Sequence, residues 1–215
     1  MCKYGSHFNS EALLIDVGST KSEIVAAFEN LPNRFRAIGG HPMTGKGTAG
    51  VDGPSPHLFE DKIFILSPGE FTSSDTLDQS LQILEAIGAE AMTIDAGEHD
   101  KLVAAVSHLP YILQSILIHV PDRFDDERVW SVAAGGFRSM VAKAGDNPAM
   151  WKDILTTNRQ DISLALSQMA QEINEFIALL RDGDDQHLSE YLLAARETHT
   201  LRVEGRLSRR SKTTL

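Results

Sequence analysis

Two short stretches hold residues whose types and spacing suit chemistry. The first, GGHPMTGKGTAGV (39–51), sets His41 and Pro42 among five glycines. Neither a helix nor a regular strand favours that composition. A histidine takes up or shares a proton near neutral pH. Pro42 restricts the residue before it to extended conformations and so limits where the His41 ring can lie. Gly39 and Gly40 would let the backbone approach a ligand closely. The second stretch, IDVGSTK (15–21), reads as a strand end, a glycine turn and a helix start. Ligands of open α/β sheets bind at the carboxyl ends of strands. Ser19 or Thr20 therefore either caps the helix or hydrogen-bonds a ligand there. A strand ending at Ile38 would bring His41 to the same sheet edge as Ser19. Further along, His108 sits inside the apolar SHLPYILQS as a structural or a ligand-facing histidine. Arg138 and Lys143 follow Gly135-Gly136, either as surface charges or as an anion clamp.

The elements that must position these residues fall into two halves. ALLIDVG (12–18), KIFILSP (62–68) and AMTIDAG (91–97) are short apolar runs bounded by Gly, Pro or Asp, as buried strands are. RFRAIGG (34–40) is a candidate fourth. Between them, TKSEIVAAFENL (20–31) opens on a Ser19/Thr20 cap. SSDTLDQSLQILEAIGA (73–89) carries Leu77, Leu81 and Leu84 at helical spacing. Strands alternating with helices predict an α/β layer with a parallel sheet. After residue 97 the pattern turns helical: 98–120 with a kink or break at Pro110, 125–145 interrupted at Gly135-Gly136, and 147–158 with Pro148 in its first turn. In 160–184, Ile162, Leu166, Met169, Ile173, Phe176 and Leu180 form a heptad seam that stops at Gly183. A last helix covers 186–198. A seam this long wants another helix, and a homodimer would supply it.

Bulk composition narrows the partners. The chain has 215 residues, 42% hydrophobic and 23% charged, which is ordinary globular usage. Its formal charge of −10 disfavours a nucleic-acid partner. The single cysteine, Cys2, excludes an intramolecular disulfide framework and fits a reducing, cytoplasmic setting. No signal peptide is visible at the start, and no apolar run is expected to be long enough to cross a membrane. No metal-ligand set is expected. The basic tail, 201–215, is expected to be disordered.

Taken in order, IDVGSTK, GGHPMTGKGTAGV, LFEDKIFILSP, EHDKLVAAVSHLPY and AAGGFRSMVAKAGDNPAMWKDIL resemble the prephenate dehydrogenase family, which includes the arogenate and cyclohexadienyl enzymes of tyrosine biosynthesis. The resemblance covers roughly residues 12 to 200. It implies α/β plus all-α architecture: the C-terminal part of a Rossmann-type nucleotide-binding domain over 1–96, then a helical dimerisation and substrate domain over 97–200. It implies oxidative decarboxylation of prephenate to 4-hydroxyphenylpyruvate with NAD or NADP. His41 matches the family's catalytic histidine in the HPM-type motif and would accept the proton of the ring hydroxyl. Ser19 matches a serine that helps to orient that histidine and the hydroxyl. His108 and Trp151 match substrate-pocket residues in SHLP and PxMW. The strand end with Asp16, Gly18, Ser19 and Lys21 would face the cofactor.

Two departures from the family pattern bear on this reading. The family's carboxylate-binding arginine usually lies five residues after the Phe of GGF, where this chain has Ala142. Arg138, four residues earlier and on the same face of a helix, is the preferred replacement, with Lys143 and Lys46 as helpers. Second, the family's opening strand–GxGxxG–helix unit has no counterpart ahead of DVGSTK. The expectation is a family member truncated at its N-terminus that by itself binds NAD(P) weakly or not at all. Arogenate is the alternative substrate. A non-catalytic dimer that binds an aromatic ligand, and a different β-hydroxyacid-type dehydrogenase, are the competing readings; SHLP and PxMW argue against the last.

Overall fold

The computed structural model describes residues 12–32, 35–44, 55 and 57–204. They fall in two compact units, 1–165 and 166–215. In the first unit, four strands form one sheet in the order β1 (Leu13–Ile15), β2 (Arg36–Pro42), β3 (Ile63–Ser67) and β4 (Glu90–Thr93). Helix α1 (Ser22–Glu29) links β1 to β2, and α2 (Ser74–Ala86) links β3 to β4. Each linked pair is parallel, with Ile15 opposite Ile38 and Phe64 opposite Ala91.

The sheet is nevertheless mixed, which corrects the all-parallel expectation. β2 and β3 are antiparallel, with Gly39 opposite Ser67 and His41 opposite Ile65. Parallel neighbours need a crossover segment, usually a helix. The Gly- and Pro-rich stretch between β2 and β3 has no apolar period to make one, so the chain returns alongside itself. Ile38, Phe64, Leu66 and Leu84 form the buried core, with Ile15, Leu77, Leu81 and Ala89 packed on it. The helical leucine spacing of α2 thus faces the sheet as expected. Its cap is Ser73, whose Oγ accepts from Thr76 N at 3.2 Å.

The chain then runs helically through α3 (Ala96–Val103), a π-helical turn (Ala104–His108) and α4 (Leu109–Leu117). Pro110 does not break it. Proline lacks an N–H and its ring crowds the carbonyl four residues earlier; the wider π turn just before it relieves that conflict and turns His108 inward. The run 96–123 contains an 18-residue window of mean hydropathy 1.5. By length and composition it could span a bilayer, contrary to the expectation above, yet it buries His99, Asp100 and His108 within this unit. The 125–145 segment is not one interrupted helix but short pieces: α5 (Arg128–Ser131), α6 (Gly135–Met140) and a 3-10 turn (Ala142–Gly145). α7 (Pro148–Thr157) begins as expected, with Asn147 Oδ1 accepting from Ala149 N at 2.9 Å.

α8 (Arg159–Asp182) opens in the first unit, where Ile162 and Ala165 are buried. In the second unit it continues to Gly183, whose φ of 65° ends it in the left-handed conformation that favours glycine. α9 (Asp185–Thr198) follows, capped by Asp184, and Tyr191 stacks edge-on against Phe176 at 5.5 Å. Residues 199–204 form a π-helical turn, and the rest of the expected disordered tail, 205–215, lies outside the described residues. Along the heptad seam Met169 and Phe176 are half-buried, while Ile173 and Leu180 stand exposed.

Candidate active site

The site is built around the start of α1. Neither Ser19 nor Thr20 caps this helix. Asp100, 79 residues later on α3, supplies the cap: Oδ1 accepts from Lys21 N and Oδ2 from Ser22 N, both at 2.8 Å. Thr20 Oγ1 instead pairs with Thr157 Oγ1 at the end of α7, at 2.8 Å. The Lys21 ammonium is fully buried. It donates to the Asp16 carboxylate and, at 2.6 Å, to the Gly40 carbonyl. Burial lowers its pKa to about 8, against the pull of Asp100. Asp16 also accepts from Gly18 N at 3.1 Å, which shapes the turn after β1. Gly18 itself and Val17 are exposed.

His41 lies within β2 rather than in a loop beyond Ile38, because the strand continues to Pro42. The preceding glycines are required by packing. A Cβ on Gly39 would lie 2.9 Å from Val25 Cγ2, and one on Gly40 would collide with the Asp16 carbonyl and lie 2.9 Å from Phe64 Cε1. This close approach draws β2 under the turn after β1.

A line of hydrogen bonds ends at His41. Asp100 Oδ1 lies 2.7 Å from His99 Nδ1, and His99 Nε2 lies 2.8 Å from His41 Nδ1. An ionised carboxylate only accepts, so His99 carries its proton on Nδ1. We assign His99 Nε2 as the acceptor, so that His41 donates from Nδ1. The lone pair of His41 is left on Nε2. Burial, then His99 and Lys21, lowers the His41 pKa to about 3. Burial pushes Asp100 the other way, but the bonds from His99, Ser22 and Lys21 outweigh it and bring its pKa to about 2. The line therefore runs from an ionised carboxylate at Asp100 to an imidazole held neutral at His41.

His108 is buried beside it. Its Nδ1 is 3.2 Å from Asn158 Nδ2, which also donates to the Asp100 main-chain carbonyl at 2.7 Å. Burial lowers the His108 pKa to about 4, against the pull of Asp100. Trp151 is also buried; it stands edge-on to His108 at 6.2 Å and stacks flat on Tyr111 at 3.6 Å.

Of the residues singled out in the sequence, the fold gathers Asp16, Lys21 and His41 into one network and sets Trp151 against His108. No hydrogen bond joins Ser19 to His41; His99 holds that ring instead. Arg138 is exposed, with its Nε on the Ala133 carbonyl at 3.1 Å. α6 stops at Met140, so Arg138 and Ala142 do not share a helical face. Lys143 is exposed and forms no ion pair among the described residues; its main-chain N–H meets Gln114 Oε1 at 3.0 Å. Lys46 lies outside the described residues. So does GKGTAG (45–50), which does carry G-x-G-x-x-G spacing, but after His41 rather than ahead of DVGSTK.

The sequence reading missed His99, Asp100 and Asn158. A His-Asp pair on the buried side of an apolar helix was the available signal, because buried polar groups must find partners.

Fold and site together define an α/β layer of the nucleotide-binding type, joined to helices that bring histidines to its strand ends. Comparison with known proteins agrees in detail. The family model for the prephenate dehydrogenase nucleotide-binding domain matches residues 1–93, and that for the prephenate dehydrogenase dimerization domain matches 95–194. The prephenate dehydrogenase of Bacillus subtilis (strain 168) is 33% identical over 89% of this chain and 53% of its own length. That of Lactococcus lactis is 31% identical over 83% and 50%. A crystal structure of Aquifex aeolicus prephenate dehydrogenase with hydroxyphenyl propionate and NAD+ superposes with a TM-score of 0.85 at 27% identity, over 92% of this chain and 70% of that one. Synechocystis arogenate dehydrogenase gives 0.80 at 27%, over 92% and 72%. The chain belongs to the prephenate dehydrogenase family. It spans about half the length of these two bacterial relatives.

Proposed function

We propose that this chain carries the proton-transfer and substrate residues of an NAD(P)-dependent dehydrogenase that converts prephenate to 4-hydroxyphenylpyruvate by oxidative decarboxylation. One observation carries the reading: the Asp100–His99–His41 line leaves a neutral imidazole with its lone pair on Nε2. A ring hydroxyl placed there gives its proton to His41, and the imidazolium that forms is steadied through His99 by the Asp100 carboxylate. A dianionic substrate raises the basicity of His41 as it binds, offsetting the burial that keeps the ring neutral beforehand. Bound NAD(P) would supply the acceptor for the hydride on the carbon bearing that hydroxyl. Departure of carbon dioxide leaves the aromatic product.

The described residues fit the nicotinamide end of the cofactor. The first amides of α1 are taken by Asp100, so this helix start offers no pyrophosphate site. The exposed turn with Asp16, Gly18 and Ser19 at the end of β1 is where the ring would lie, with buried Lys21 bracing the turn from behind. In this reading 1–96 form the nucleotide-binding part and 97–200 the helical part, which pairs two copies through the exposed seam of α8. His108 and Trp151 line the substrate side, Ser19 meets the hydroxyl, and Arg138, helped by Lys143 or Lys46, meets a carboxylate. The setting is the cytoplasm. Arogenate is the second reading, left open by Ala142 at the family's usual arginine position. Steady-state kinetics with both substrates tests the proposal: His41→Asn should lower kcat by roughly 10²–10⁴, and an unchanged kcat would move the proton role elsewhere, with His108 the next candidate.

A further inference from the structure

Asp100 anchors two lines, not one. Its carboxylate holds His99 and through it His41; its main-chain carbonyl holds Asn158 and through it His108. The second line has its own logic. A carbonyl oxygen only accepts, so the Asn158 group facing it at 2.7 Å is the amide nitrogen. That choice fixes the amide orientation, which bond geometry alone would leave open. The other hydrogen of the same nitrogen points to His108 Nδ1 at 3.2 Å. Nδ1 must then hold a lone pair, and the proton of the neutral ring sits on Nε2. Asn158 and His108 are both buried, so water does not compete for these positions. Among the described residues no group accepts from His108 Nε2.

We propose that Asn158 is a positioning residue that holds His108 as a neutral Nε2–H donor toward an acceptor oxygen of the ligand, opposite in tautomer to His41. One anchoring residue thereby sets two histidines to complementary tasks: His41 presents a lone pair, His108 an N–H. The ligand half of this inference rests on the proposed function; the tautomer half does not.

The test is nitrogen-15 NMR of the histidine rings in the whole chain near pH 7, with His108→Gln identifying the His108 signals. Native His108 should show a protonated Nε2 and a bare Nδ1. Asn158→Asp puts an acceptor where the donor was, so the proton should move to Nδ1. A native ring protonated on Nδ1, or a tautomer unmoved in a folded Asn158→Asp chain, overturns the assignment. If that variant does not fold, the native spectrum decides. In the active enzyme Asn158→Asp should raise KM for prephenate at least tenfold. A reversed tautomer with unchanged KM overturns the donor role alone. Native tautomers as assigned, together with an active His41→Asn, would sink the proposed function and leave Asn158 in place.

Discussion

Asp100→Asn tests the centre of the network. The native carboxylate is almost wholly buried and accepts three bonds, from Lys21 N, Ser22 N and His99 Nδ1, all at 2.7–2.8 Å. Asparagine keeps one accepting oxygen and turns an N–H₂ toward a donor. One charge-assisted bond is lost, worth about 1.5–3 kcal/mol, along with a favourable charge at a helix start, worth about 0.3–1 kcal/mol. The pKa gives an independent figure: a fall from 3.8 to about 2 corresponds to about 2 kcal/mol. Both routes predict a loss of about 2–4 kcal/mol at pH 7, read from urea unfolding midpoints. The sign of the pH dependence is also set. A carboxylate whose folded pKa lies below its unfolded one stabilises above the unfolded value and stops doing so as pH falls through the folded one. The gap between native and variant chains should therefore stay constant down to about pH 4 and close by about 1 kcal/mol at pH 3. A loss under about 0.5 kcal/mol at pH 7 would refute the claim that this carboxylate replaces a local cap for α1.

The native chain should lose stability as pH falls from about 6.5 toward 4, because His108 is held neutral with a pKa near 4 and must charge on unfolding. At pH 5 its share is about 2 kcal/mol, and His108→Gln should flatten that part of the slope; an unchanged slope would place the acid sensitivity in other groups. Gly40→Ala should cost at least about 2 kcal/mol, since its Cβ would meet the Asp16 carbonyl, Phe64 and Ile15 together; a melting temperature within a degree or two of native would show that β2 can shift. The chain should sediment as a dimer at micromolar concentration, and Ile173→Asp on the exposed seam of α8 should shift it to monomer; a native monomer would disprove the pairing.

Much of the architecture was legible in the sequence because it depends on local period and punctuation. The apolar runs at 12–18, 62–68 and 91–97 became strands, the leucines of α2 faced the core, Pro148 opened α7 and Gly183 closed α8. These outcomes follow from burying an apolar face at a period of 2 or 3.6 residues and from the few conformations open to Pro and Gly. Likewise His41 and His108 stood out as histidines in settings that do not favour them.

What only the tertiary structure decided were relations between residues far apart in the chain. The cap of α1 comes from Asp100 because a buried carboxylate needs donors and a helix start has spare ones; nothing near Ser19 or Thr20 encodes that exchange. The antiparallel pairing of β2 and β3, which sets His41 inside a strand opposite Ile65, depends on which edges remain free once the two crossover pairs have formed. The tautomers of His41 and His108 follow from what each Nδ1 meets, His99 in one case and Asn158 in the other. A hydrogen bond acts over about 3 Å, while the sequence sets these partners 58 and 50 residues apart. Only the packing of α3 and α7 around the start of α1 brings them within reach.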